Sequence, residues 1–459
     1  MIDLAKTTIR QVYKEIRNLK IKPTKIIEAC LERISRLNDS LNMFIYVAEE
    51  ALQYAEKLEK ELEERTCRSK LHGLPIAVKD AFYTLDMPTT GGSLILKDFR
   101  PSRDAEVVRR LRDAGAVIIG KTNMHEFAFG VTNKNPHYGV TRNPWNINRI
   151  SGGSSGGSAV AVSVGVSIGG IGTDTAGSIR IPSAICGVVG YKPTYSLLSL
   201  DGVIPLAWSL DTVGPIAKTV DDVEIMIDVM AGRQLRFSHQ ANINENGELR
   251  LGIPRRFIDE WLSEEVEEVF WRSVDKIVSN SPYRIIEIDV EWFKTLSNIR
   301  YIIVLSESAA FHLKWIRSRW SEYDPDVRDR ILSGLFIPAP VYIRAQRIRE
   351  ALKKNFLKLM QTLDAVILPA VPIEAPRIED EELIIKNKKI GVRRALLSLT
   401  EPFNSLGNPA ITIPCGLTKN NLPVGLQIAA KPYDDYLLLK IARKFEEILG
   451  RLPEPPIIS

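Results

Sequence analysis

Cysteine is scarce. Cys30, Cys67, Cys186 and Cys415 are the whole complement, and no two of them form a Cys-x-x-C pair. That excludes a disulfide framework and a cysteine zinc site. The five histidines (His72, His125, His137, His239 and His312) show no H-E-x-x-H spacing, so neither a metal nor a cofactor is expected. No apolar run is long enough to span a membrane, which takes about 20 residues; the longest uncharged stretch, 151–173, is broken by Gly and Ser. An excess of one charge is missing too. Lys and Arg number 61 against 56 Asp and Glu, a net +5, and the two signs are interspersed. This gives no basis for direct nucleic-acid or membrane binding. The opening Met-Ile-Asp-Leu-Ala-Lys has no apolar signal core, and the expectation is a reduced, cytoplasmic protein.

What is present is alternation. Residues 3–66 carry apolar positions at helical spacing, with Thr24 as an N-cap, and predict a helical layer. From Gly73 the pattern changes. Short apolar runs at 74–78, 116–119 and 187–190 predict buried strands, with helices at 105–114 and 219–230 between and after them. Residues 121–150 are loop-rich, and the polar stretch 233–249 predicts a surface connection. Strands follow at 251–254, 284–288, 365–368, 410–414 and 424–428, with a helical excursion over 291–363 and a closing helix at 436–449. This predicts a layered α/β/α fold: a large central mixed sheet covered by helices on both faces, in one domain spanning 1–459. Within it we distinguish a helical layer (1–66), a core (67–232), the excursion (250–363) and returning strands (364–459).

The chain is organised around 151–183. Two hydroxyl-rich glycine loops, Gly-Gly-Ser-Ser-Gly-Gly-Ser at 152–158 and Thr-Asp-Thr-Ala-Gly-Ser at 173–178, flank an apolar run of small residues able to cross a core. Such loops present Ser hydroxyls beside free backbone N–H groups, the inventory of a nucleophile with an oxyanion hole. Other readings compete. The loop lacks both nucleotide fingerprints, and the P-loop string at 115–122 fails because its middle residues are themselves a strand. A backbone phosphate cradle in a non-catalytic binding protein remains open. G-x-S-x-G is matched at 152–156 and 153–157, but the preceding 146–150 is a poor core strand, and only His239 and His312 lie downstream to serve as base. A third reading needs no histidine: Lys79 ends a buried strand, and a buried Lys made neutral can serve as base.

The two loops, with Gly-Thr-Asp-Thr-Ala-Gly-Ser-Ile-Arg-Ile-Pro at 172–182, resemble the signature of the amidase signature family. Gly-Leu-Pro-Ile-Ala-Val-Lys-Asp at 73–80 resembles its lysine motif. The stretches 120–128, 143–145, 414–416 and 422–427 resemble further landmarks, so the resemblance covers nearly the whole chain. It implies a Ser–cis-Ser–Lys triad, with Ser178 as the acylated nucleophile, Ser154 as the bridge after a cis peptide, and Lys79 as the base. It implies an oxyanion hole from the amides of Thr175, Ala176, Gly177 and Ser178. Supporting roles fall to Ser155, hydrogen-bonded to Lys79, and to Asp174 and Arg180, paired to brace the loop. Cys186 reads as a small core residue. Phe129, Gly130 and Arg330 are the candidates for binding substrate.

The layout is also similar to the A subunits of glutamyl-tRNA amidotransferases, which release ammonia from glutamine for a partner protein. Those A subunits carry an acid before a Thr-x-Pro segment to hold the glutamine amino group. Here Leu397 stands at that place, before Thr400-Glu401-Pro402. Glu401 substitutes only if the loop differs, and Arg330 is the candidate for the carboxylate-holding arginine. An unpaired buried amino group is costly. The favoured expectation is therefore a stand-alone amidase for a small-molecule amide, as monomer or homodimer. Partner B and C subunits belong to the alternative only.

Overall fold

The short apolar runs do become strands. The computed structural model describes residues 3–232 and 248–458, so the connection expected at 233–249 lies almost wholly outside the described residues. Eleven strands form one sheet. In chain order they are β1 (Phe44–Val47), β2 (Pro75–Lys79), β3 (Val117–Thr122), β4 (Gly169–Asp174), β5 (Val189–Lys192), β6 (Thr212–Ala217), β7 (Leu249–Ile253), β8 (Tyr283–Glu287), β9 (Ala365–Pro369), β10 (Ala410–Leu417) and β11 (Pro423–Ala429). Their spatial order is β1-β3-β2-β4-β6-β5-β10-β11-β9-β7-β8. β3, β2 and β4 run parallel, as do β9, β7 and β8, while the middle of the sheet is antiparallel. The sheet is therefore mixed, as the alternation predicted. β5 pairs with β10, which brings the C-terminal strands beside the signature strands.

Helices cover both faces, and β4 shows why they approach so closely. Neighbouring residues of a strand point to opposite faces. A Cβ on Gly169 would meet Met226 of α7 (Val220–Ala231), and one on Gly170 would meet Ser158 and Val162 of α5 (Gly156–Ser163). The bare backbone of β4 lets a helix lie close on each side.

Four helices precede α5: α1 (Ile9–Arg17), α2 (Pro23–Leu41), α3 (Ala51–Glu63) and α4 (Glu106–Asp113). After it come α6 (Arg180–Cys186), then α7, then α8 (Glu264–Ser279). The excursion consists of α9 (Phe293–Ile316), α10 (Pro325–Gly334) and α11 (Ala339–Leu359), packed on one another. Two short helices, α12 (Val392–Leu397) and α13 (Glu401–Leu406), precede the closing α14 (Asp435–Leu449). α13 packs on both α9 and α11, tying the excursion to the core.

Several expectations are corrected. The run 159–172 is not one segment: it divides into α5 and β4. Neither β4 nor β6 was expected, because Gly is a poor strand former and four of the twelve residues in these strands are Gly. β1 interrupts the layer expected to be helical throughout. Thr24 does not cap α2; Pro23 stands at the first helical position and the Thr24 hydroxyl donates to Glu59 at 2.7 Å. Residues 146–150 are a strand after all, though paired in a separate small hairpin with Arg142–Asn143 and mostly exposed. A second hairpin, Glu382–Ile385 with Lys388–Gly391, was not foreseen.

Candidate active site

Lys79 is the last residue of β2, and its side chain is wholly buried. Its Nζ donates to Ser154 Oγ and to Thr173 Oγ1, each at 2.7 Å. Ser154 lies 75 residues further along the chain, in the loop that leads into α5, and the Gly153–Ser154 peptide is cis. The two serine loops are stitched together by backbone: Ser155 N–H donates to Ser178 C=O at 3.1 Å. Ser178 follows β4 and precedes α6. Its hydroxyl makes no hydrogen bond among the described residues, and it lines an open cleft. Lys79 and Ser178 thus stand at or just beyond the ends of parallel neighbours β2 and β4, where open α/β sheets present functional groups, and Ser154 reaches the lysine from the loop before α5.

Burial pushes the Lys79 amine down to about 7, with Asp211 and Asp174 working in the opposite direction. Desolvation dominates because the nearest carboxylates are engaged elsewhere. Asp211 accepts from Thr175 Oγ1 at 2.6 Å, and burial lifts its carboxyl to about 6. Asp174 is held by Arg180. A neutral amine is therefore accessible at ordinary pH.

The loop 174–180 is braced by a buried ion pair. Arg180 donates to Asp174 through Nε at 3.0 Å and Nη2 at 2.9 Å, and neither side chain meets solvent. Burial opposes the charge on Asp174, but Arg180 and Asn404 outweigh it and hold the carboxyl far below its ordinary range. Asn404 of α13 donates to Asp174 C=O and Oδ1, Thr400 donates to Ala176 C=O, and Arg180 also donates to Gln427 of β11. Breaking a buried pair leaves one charge uncompensated, which typically costs about 3–5 kcal/mol. Arg180→Met is accordingly expected to lower unfolding stability by that order, read by denaturant titration.

Two expected roles are corrected here. Gly177 N–H is not free: it donates to Asp174 Oδ1 at 2.7 Å. The amides of Thr175, Ala176 and Ser178 make no hydrogen bond among the described residues and remain available. Gly177 itself has φ +129°, and a Cβ there would collide with Thr400 Oγ1, so only Gly fits this close approach. Ser155 does not bond Lys79. As N-cap of α5 its hydroxyl turns to Thr173 C=O at 3.2 Å, and the lysine takes the Thr173 hydroxyl instead. Thr173 was missed, although its place in the signature was visible.

The cleft at Ser178 encloses about 300 Å³ with its mouth, and Phe129 and Gly130 are among its walls. A larger hollow of about 970 Å³ lies by α3, lined by residues such as Tyr54, Lys57 and Arg112, but its lining holds no nucleophile beside a buried base. Arg330 stands behind Phe129, not in the wall. Its guanidinium lies 4.5 Å from the Phe129 ring centroid, donates to Phe129 C=O and pairs with Asp326. Arg300 and Val304, in the helical region 300–345 expected to furnish pocket walls, line the cleft too, as does Leu397 at the place of the missing acid, while Arg393 was not foreseen. Each pair is spaced i, i+4, so α9 and α12 each turn one arginine and one apolar side chain to the cleft. Glu401 is engaged by Arg300 at 2.7 Å, by Arg394 at 3.1 Å and by Ser297. It does not replace the acid missing at Leu397.

Among the described residues the histidines stay outside this chemistry; His239 lies outside those residues. His312 is buried against Tyr323 at 3.0 Å, and burial pushes it to about 3. His125 packs over Gly130, and burial keeps it neutral, well below the usual imidazole range. Cys186 is buried, which raises its thiol well above the usual range. Among the described residues no group of His, Cys, Asp and Glu could hold a metal ion, and no helix is long and apolar enough to cross a membrane.

Known proteins share this fold. A profile of the Amidase family matches residues 25–439. The A subunit of the glutamyl-tRNA(Gln) amidotransferase of Sulfurihydrogenibium sp. (strain YO3AOP1) is 33% identical, covering 97% of this chain and 98% of its own. A crystal structure of an amidase superposes with TM-score 0.90 at 34% identity, covering 97% of this chain and all of that one. The native peptide amidase of Stenotrophomonas maltophilia superposes with TM-score 0.81 at 26% identity, covering 99% of each chain. With the profile matched over most of its length and a full-length relative at one-third identity, this chain belongs to the amidase family, hydrolases that act on amide C–N bonds.

Proposed function

We propose that the protein hydrolyses a small carboxamide to a carboxylate and ammonia through an acyl-enzyme on Ser178. The observation that carries this reading is the buried Lys79 amine, 2.7 Å from the Oγ of Ser154, whose next residue, Ser155, bonds the Ser178 backbone, with Ser178 lining the cleft. Neutral Lys79 takes the Ser154 proton while Ser154 takes that of Ser178, whose Oγ attacks the amide carbon. The amides of Thr175, Ala176 and Ser178 receive the developing oxyanion; a single donor of this kind is worth about 3 kcal/mol in related sites. The proton returns through Ser154 to the nitrogen, the C–N bond breaks, and ammonia leaves an ester on Ser178. Water then attacks that ester with Lys79 again acting as base.

A second reading, the glutaminase component of a glutamyl-tRNA amidotransferase, is favoured by the full-length relatives that carry the amidotransferase name. Leu397 in the cleft wall and Glu401 tied to Arg300 and Arg394 argue against it, because among the described residues lining the cleft no carboxylate remains to meet an ammonium group. Ammonia release by the purified chain alone separates the two. Simple carboxamides are expected to be hydrolysed, with glutamine poorer by on the order of 100-fold, the scale of one unmet charged partner. Glutamine as the best substrate, with release rising on addition of partner proteins, carries the second reading instead.

A further inference from the structure

The charges around the cleft do not cancel: four arginines stand against two carboxylates, and one of the four lacks an ion-pair partner among the described residues. Arg300 pairs with Glu401 at 2.7 Å, and Arg330 pairs with Asp326. Arg394 leans on the same Glu401 at 3.1 Å. Arg393 has no such partner. Among the described residues its guanidinium makes no hydrogen bond and no ion pair, and its Nε is buried without a partner. Its contacts are the rings of Phe129 and Tyr301, each 5.9 Å from the guanidinium carbon. Burial, with Arg330 and Arg300 close by, pushes it down to about 10, so it stays charged at neutral pH. A half-buried cation with no ion-pair partner is costly unless something supplies the opposite charge. Asp326, already paired with Arg330, offsets this charge only from a distance, and Arg393 shares a cleft wall with Ser178.

The same cleft is hostile to an ammonium group. Leu397 stands one helical turn from Arg393, and the lining includes Leu206 and Val304 but no carboxylate. The cleft is also small, its roughly 300 Å³ including the open mouth, which favours a short acyl chain. Within the amidase reading proposed above, we infer that the substrate is a short anionic amide, a monoamide of a dicarboxylic acid without an amino group, whose free carboxylate is taken by Arg393. A planar guanidinium meets a carboxylate with two parallel N–H donors, which fixes orientation as well as charge. The carboxylate would thus anchor one end of the substrate while the amide carbon lies toward Ser178.

The test compares succinamate with butyramide, its neutral counterpart of similar size. The wild type is expected to favour succinamate in kcat/KM by on the order of 100-fold, the scale of one charge-assisted pair. Arg393→Gln should collapse that ratio toward one, and Arg393→Lys should keep part of it. Succinate should slow fluorophosphonate labelling of Ser178 in the wild type and much less in Arg393→Gln, with thermal melting used to check that the variants fold. A wild-type ratio near one, or a ratio unchanged in Arg393→Gln, overturns the inference. If Ser178 is labelled and both amides are hydrolysed equally well, only this inference fails. If no amide is hydrolysed and Ser178 is not labelled, the amidase reading fails with it.

Discussion

Ser178→Ala is expected to lower kcat/KM for amide hydrolysis by on the order of 10,000-fold or more, the scale seen when the nucleophile of a catalytic triad is removed. Residual turnover should remain above the uncatalysed rate, since the amides of Thr175, Ala176 and Ser178 would still polarise a bound carbonyl. The fold should be indifferent to the change. The Ser178 hydroxyl makes no hydrogen bond among the described residues, and the loop is held instead by Asp174, Arg180, Thr400 and Asn404. Stability is therefore expected to stay within about 0.5 kcal/mol of wild type. A variant that melts like the wild type and loses less than about tenfold in rate would remove Ser178 from the chemistry, since even a single positioned acid or base contributes more.

Lys79→Met has the next largest expected effect, a loss on the order of 1,000-fold, within the range of a removed general base. The pH profile carries the sharper information. A lysine acts as base only after losing its proton, and burial sets that loss at about 7 in the folded protein. The wild-type rate should therefore climb as pH rises through about 7 and level off above it. Asp211, lifted by burial to about 6, ionises just below the lysine and overlaps the foot of this limb, whereas Asp174 is charged throughout. The variant should lose this limb. Stability should rise with pH as activity does. Lys79 binds its proton less tightly folded than unfolded, so its cost to stability is full below about 7, fades as pH rises from there to the ordinary lysine range, and is gone above it. Methionine, of similar length and uncharged, is expected to melt no lower than wild type at neutral pH.

What was legible in the sequence and what was not follows from how far each signal reaches. The glycine–serine loops and a lysine closing an apolar strand are local patterns, and Lys79, Ser154 and Ser178 were readable from them and from the family resemblance. Which hydroxyl faces the lysine was not readable. Thr173 and Ser155 are both small and polar, and the choice depends on the side of β4 from which Thr173 projects and on the way the first turn of α5 points Ser155. β4 escaped notice because glycine weakens strand patterns, although its glycines are what admit α5 and α7 so closely. The oxyanion role given to Gly177 changed because its amide lies against Asp174, a contact made by the fold of the loop and not by spacing. Arg300 and Arg393 lie far apart in the chain and meet only through the packing of α9 and α12 around one cleft. Glu401 looked like a replacement acid until its partners Arg300, Arg394 and Ser297 were in view.

The most direct measurement is the site of covalent labelling by a fluorophosphonate, read by peptide mass spectrometry across a pH series. A single adduct on Ser178 is expected, forming faster as pH rises through about 7 and much more slowly in Lys79→Met. An adduct on Ser154 or Ser155 instead, or no adduct while the protein still hydrolyses amides, would contradict the proposal that Ser178 is the nucleophile and Lys79 its base.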